Sequence, residues 1–237
     1  MNTYTPIAYS GLDWSTILYF VSILLVLVSV GLSIAVKSVF KKYAQVKNAR
    51  GITGAQAAQF ILEQNGVYDV QIGQVGGTLT DHYSPNAKTL NLSEEVFSKP
   101  SVASVAVAAH ECGHAIQHAQ AYLPLRIRTA IVPVANLGSR AGFFIFFIGL
   151  AIARTQILMD LGILLFAATV IFHIITLPVE FNASRRGLQA LTQTGILYGE
   201  EMTGARKVLI IAALTYVASA AAAAVQLFRL IAIRNRD

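Results

Sequence analysis

Residues 101–119 read SVASVAVAAHECGHAIQHA. The stretch opens on small and β-branched apolar residues and then places His110, Glu111, His114 and His118 in the same run. Ionisable groups are costly in apolar surroundings unless they are paired or bound to a metal. On a helix, positions i and i+4 share one face, one turn apart. His110 and His114 can therefore hold one ion, and Glu111, displaced by one residue, can address a water on that ion. This is the H-E-x-x-H pattern, in which zinc lowers the pKa of a bound water and the glutamate takes its proton. Gly113 lets another backbone approach the helix, and Cys112 points off the histidine face. How the stretch is placed decides the fold, because residues 101–123 are apolar enough for a membrane span of their own. The polar strands expected before it, and Pro124 and Arg126 after it, favour a helix of a surface region.

The rest of the chain is membrane-like. It is 55% hydrophobic and only 13% charged, against about 25% charged in a soluble domain. Residues 15–36 carry no charge and are long enough to cross a hydrocarbon core of about 30 Å. Basic residues follow this span while Asp13 and Trp14 precede it, so it reads as an uncleaved anchor with its N-terminus outside. Residues 131–153, 157–179 and 208–231 are three further spans, the last rich in alanine that permits close helix packing. The expected fold is a mainly α membrane protein with about four transmembrane helices and a small α+β zincin-like catalytic region at 37–130. Residues 180–207 form a connector that carries a third ligand. Within 37–130, Thr53 caps a helix that stops at Gly66, Val67–Val75 reads as a strand, and Leu79–Leu92 as a strand, a loop at Ser84-Pro85-Asn86 and a return.

The formal charge of +6 does not suggest nucleic acid, because Lys37, Lys41, Lys42, Arg206 and Lys207 flank apolar spans. Four spans would put these residues on one side, with Arg50, Arg126, Arg128, Arg185 and Arg186, and the positive-inside rule makes that side cytoplasmic. Arg234 and Arg236 would then lie outside, against the rule. With Cys112 as the single cysteine, no intrachain disulfide can form.

A catalytic zinc takes three protein ligands and keeps one position open. His118, two turns from His110, cannot easily reach the same ion from a straight helix. Asp160 is the candidate if the site lies inside the bilayer. Glu180 is favoured: it follows Pro178 at the end of the third span, and a hairpin of the second and third spans would return it to the side of His114. The competing reading of Glu180 is an interfacial charge paired with Arg185 or Arg186.

HECGHAIQH, LTDHYSPNAKTLNLS and PVEFNASRRGL together resemble the YugP-type membrane zinc metallopeptidases, a bacterial family of neutral zinc peptidases with several spans. The resemblance runs from the first span to the last and extends distantly to the Ste24 and HtpX membrane proteases. It implies one zinc ion on His110, His114 and Glu180, with Glu111 as base. The distant relatives have an aspartate four residues after the third ligand, orienting a zinc histidine; here Ser184 stands in that place, and Asn182 is a second candidate.

Other residues have open roles. His82 and Tyr83, on a strand before the motif helix, could bind substrate backbone or donate to the oxyanion. Arg185 or Arg186 could polarise a carbonyl or anchor at the membrane surface. His118 could support the zinc site or be exposed, and His173 is an intramembrane histidine. The expected activity is hydrolysis of peptide bonds in membrane or membrane-proximal proteins, from a bacterial inner membrane, with the lipid bilayer as the second partner. The alternatives are a non-proteolytic zinc-binding scaffold or regulator, and a site-2-type intramembrane protease.

Overall fold

The structure, a computed structural model, describes residues 14–152 and 155–235. Asp13 and Arg236, used above for topology, lie outside the described residues. The chain is mostly helical. Helix α1 (Trp14–Ala44) leads to α2 (Gly54–Gln64), strands β1 (Gln71–Val75), β2 (His82–Ser84) and β3 (Thr89–Ser93), a short α3 (Glu94–Ser98) and the motif helix α4 (Val102–Ala119). There follow α5 (Leu123–Leu137), a π-helical turn at Gly138–Gly142, α6 (Phe143–Ala151), α7 (Gln156–Thr194) and α8 (Gly199–Arg234). Four helical stretches are long and apolar enough to cross a membrane: Thr16–Ala44, Leu123–Ala151, Gln156–Thr194 and Gly199–Arg234. Helix α4 is not among them.

The small region between α1 and α5 has a core of its own. Thr53 and Gln56 form a reciprocal capping box at the start of α2, the arrangement that satisfies two otherwise orphaned amides. Strand β3 lies between β1, which is parallel to it, and β2, which is antiparallel and forms a sheet edge. Leu90 and Leu92 of β3 are fully buried with Ile61, Val96, Val102 and Val105. Burying side chains of this kind contributes about 1.5–3 kcal/mol each. Ser101 caps α4 through the Ser104 amide at 3.1 Å.

Two boundaries differ from the sequence expectation. The second span begins at Leu123 rather than 131, because Pro124 sits in the first turn of α5, where its missing N–H costs nothing. No separate element starts at residue 180: α7 runs through Pro178 for 39 residues. At 1.5 Å per residue that is about 58 Å, roughly twice the hydrocarbon thickness. Helix α7 thus leaves the apolar layer still helical and continues along α4. Arg50 of the α1–α2 loop meets its end, donating to the carbonyls of Thr194 and Gly195 at 3.1 and 3.2 Å.

The crossing of α4 and α7 is unusually close. A Cβ on Gly113 would stand 2.2 Å from the Ala183 carbonyl oxygen, and one on Gly187 2.5 Å from that of Ala109. Each helix offers a glycine to the other's backbone. Gly187→Ala is expected to cost about 1–3 kcal/mol by overpacking, while Gln189→Ala, at an exposed position of the same helix, stays within about 0.5 kcal/mol. Thermal unfolding of the two variants in detergent checks this.

Candidate metal centre

The α4–α7 crossing sets Glu180 opposite the histidine face of α4. The Oε2 atom of Glu180 lies 3.3 Å from His110 Nε2 and 3.4 Å from His114 Nε2. One ligand atom from each of the three residues lies within 4.8 Å of the others. Bonds of about 2.0–2.1 Å at the tetrahedral angle separate neighbouring ligand atoms by roughly 3.3 Å. The spacing is long for a strong hydrogen bond but suits three ligands of one ion. Glu180 is 2% exposed, and its Oε2 is buried without a hydrogen-bond partner. A buried carboxylate oxygen in that condition is costly, and a cation at the centre of the three residues removes the cost. The donor set therefore fits zinc.

The other nitrogen of each histidine is held. His110 Nδ1 lies 3.0 Å from Ser184 Oγ, and His114 Nδ1 lies 3.1 Å from Gln117 Oε1. With Nδ1–H donating to these oxygens, both Nε2 atoms are free to ligate, which is how outer partners fix a metal-binding tautomer. Gln117 is fully buried, and its Nε2 donates to Val179 O at 2.8 Å and Asn182 Oδ1 at 2.9 Å. Asn182 Oδ1 also accepts from Arg186 Nε at 2.7 Å. A polar chain thus ties the second histidine of α4 to the third-ligand turn of α7. Burial opposes the charged form of His114, but the nearby Glu180 carboxylate outweighs that and raises its pKa.

Sequence reasoning missed Gln117, Arg128 and Tyr216. Arg128 of α5 brings Nη2 to 3.5 Å from Glu180 Oε1, and its Nε is buried without a partner. It takes the place expected for Arg185, which is exposed, and for Arg186, which donates to Asn182 and Gln120 and lies over the Tyr122 ring. Spacing along the chain could have flagged Gln117, one turn after His114. Nothing local marks Arg128 or Tyr216, which arrive from other helices.

Two cavities meet at this centre, sharing Asp81, His110, Glu111, Glu180 and Tyr216 as walls. One is the more polar of the two and touches His82, Tyr83, His114 and Arg128, with Leu125, Val132 and Pro133 also on its walls. Burial raises the Asp81 pKa against the opposing hydrogen bonds from Ser93. His118 does not join the ligands: its Nδ1 pairs with the Tyr83 hydroxyl at 2.8 Å. His82 is bonded to Thr80 O at 2.8 Å. Cys112 is buried on the far side of α4, its Sγ facing Ala58 O at 3.7 Å. Asp160 is some 20 residues along α7 from Glu180, about 30 Å by helical rise, and forms a two-point ion pair with Arg234 at 2.8 and 3.0 Å. His173 is half-buried in α7, its ring edge-on to Phe172.

A mostly helical chain with four membrane-length helices and a largely buried His-His-Glu cluster defines the class: a membrane protein able to hold a metal ion. Residues 18–235 match the family described as "Putative neutral zinc metallopeptidase", and the chain belongs to this family. It is 44% identical over 215 residues, 89% of its length, to "Putative membrane protease YugP" of Bacillus subtilis (strain 168), covering 95% of that protein. No solved structure matches the chain.

Removing an outer partner of a zinc histidine typically weakens metal binding about 10- to 100-fold. Ser184→Ala and Gln117→Leu are each expected to fall in that range, as measured by competition with a zinc chelator. Asp160→Asn is expected to leave zinc affinity unchanged.

Proposed function

We propose that this protein is a zinc-dependent endopeptidase that cuts membrane or membrane-proximal proteins, working from the cytoplasmic face of a bacterial inner membrane. The observation that carries the reading is the buried Glu180 oxygen, unpartnered and 3.3–3.4 Å from both motif histidines, with Glu111 beside it on the walls of both cavities. Family membership supports the same chemistry.

His110, His114 and Glu180 hold the ion, one per chain. Zinc, when bound, supplies Lewis acidity to the substrate carbonyl and to the attacking water. Glu111 takes the proton of that water and passes it to the leaving amine, the two duties of a general base and acid. Ser184 and Gln117 keep the imidazoles in the ligating tautomer, and Asn182 braces Gln117. Arg128 balances the charge of Glu180 from the wall of the polar cavity. Strand β2 is a sheet edge, so its unpaired backbone groups can take an extended substrate as an added strand. Tyr83, fixed by His118, and His82 line that edge. The lysines and arginines around the centre, from Lys37 to Lys207, favour the cytoplasmic side.

Purified in detergent, the wild type is expected to carry one zinc per chain and to cleave casein or a membrane-protein substrate. Glu111→Gln keeps the zinc and loses cleavage by about 10²- to 10⁴-fold, the usual worth of a general base. Glu180→Ala loses both. Zinc retained without cleavage in the wild type would favour the scaffold reading instead, and full zinc in Glu180→Ala would remove the third ligand.

A further inference from the structure

The second cavity at the metal centre differs from the polar one. It has a volume of about 290 Å³ and extends from Glu111 and Glu180 between α1 and α8. Its far walls are hydrocarbon: Val36 and Phe40 of α1, Leu79 of the β1–β2 loop, and Val208, Ala212 and Ala213 of α8. No lysine or arginine lines it, whereas the polar cavity holds Arg128. A cavity of about 150 Å³ with such walls takes up benzene, so the space admits the largest apolar side chains.

Leu79 adds an independent observation. Its φ is +57°, a left-handed conformation that is uncommon for a bulky residue without glycine's freedom. Strain of this kind persists where the surroundings over-determine it, and it clusters at functional sites. Here the strained backbone sets an apolar side chain into the wall facing α1 and α8.

We propose that this chamber receives a large aliphatic or aromatic side chain of the substrate residue adjoining the scissile bond, so that the enzyme selects cleavage sites by an apolar residue on one side. The inference rests on the peptidase reading above. An extended chain crossing Glu111 must turn one side chain toward each cavity, because successive side chains on a strand point to opposite faces. A polar or charged side chain reaching the far, apolar walls of the chamber would lose its water without gaining a partner there, while the cavity that holds Arg128 tolerates either kind. The walls include two helices of membrane-spanning length, so an apolar substrate segment leaving a bilayer along them would meet the pocket.

The test uses the zinc-loaded full-length protein in detergent and a peptide library whose products are read by mass spectrometry. The expected result is a fixed preference for Leu, Ile, Met or Phe at one position beside the cut. Ala212→Phe, which fills the chamber, is expected to lower kcat/KM for those peptides at least 10-fold and to shift the preference to Gly or Ala, with zinc content unchanged. A cut indifferent to side-chain size, or an equal loss on every peptide, overturns the proposal while leaving the peptidase reading intact. If no peptide is cut, the peptidase reading is what has failed. The chamber is then judged by photo-leucine peptides bound to zinc-loaded Glu111→Gln. Adducts on Phe40, Leu79 or Ala212 support it. Adducts confined to the polar cavity, or a lipid acyl chain retained in the chamber, overturn it.

Discussion

The contact on which the arrangement depends is the backbone crossing of α4 and α7. Gly113 and Gly187 remove the two Cβ atoms that would hold the helices apart. At that separation a carboxylate on α7 reaches imidazoles on α4 directly. A wider crossing would pull Glu180 away from His110 and His114. The same closeness lets Ser184 and Gln117 act across the interface, so the His-His-Glu cluster and its hydrogen-bond partners are fixed by one packing event.

Electrostatics then follows from burial. Glu180 is nearly inaccessible and faces two histidines and Arg128. A buried carboxylate is tolerable only with charge or hydrogen bonds around it. The partners come from α4 and α5, and the charge itself from α7. The centre therefore needs three helices at once, two of them of membrane-spanning length. This couples the chemistry to the membrane bundle rather than to the small sheet region alone.

Much of this was legible in the chain. Thr53 announced its helix, and the capping box is formed. Gly113 announced a close backbone, and Ala183 supplies it. Four membrane-length helices were readable from the apolar runs. Other features were not. Pro124 read as a sign that the motif helix belongs to a surface region, and it proves also to sit in the first turn of the next helix, where its missing N–H costs nothing. Pro178 read as an end, yet α7 continues because packing on both sides outweighs one lost hydrogen bond. Arg185 and Arg186 looked close to the site because they are close in sequence to Glu180, but helical geometry turns Arg185 outward and commits Arg186 to Asn182.

The sequence by itself determined what is periodic or local: which segments are long and apolar enough to cross a bilayer, where helices are capped, and that His110 and His114 share a face with Glu111 displaced from it. These depend on hydrophobic transfer and on the pitch of one helix. The tertiary structure decided what lies between helices. It brought Glu180 to the histidines and left Asp160 about 30 Å away, gave Arg128 the place that local spacing assigned to its neighbours in sequence, and opened an apolar chamber between α1 and α8. Those outcomes turn on how helices cross, and crossing geometry is set by side chains and glycines on two surfaces together, which no single segment contains.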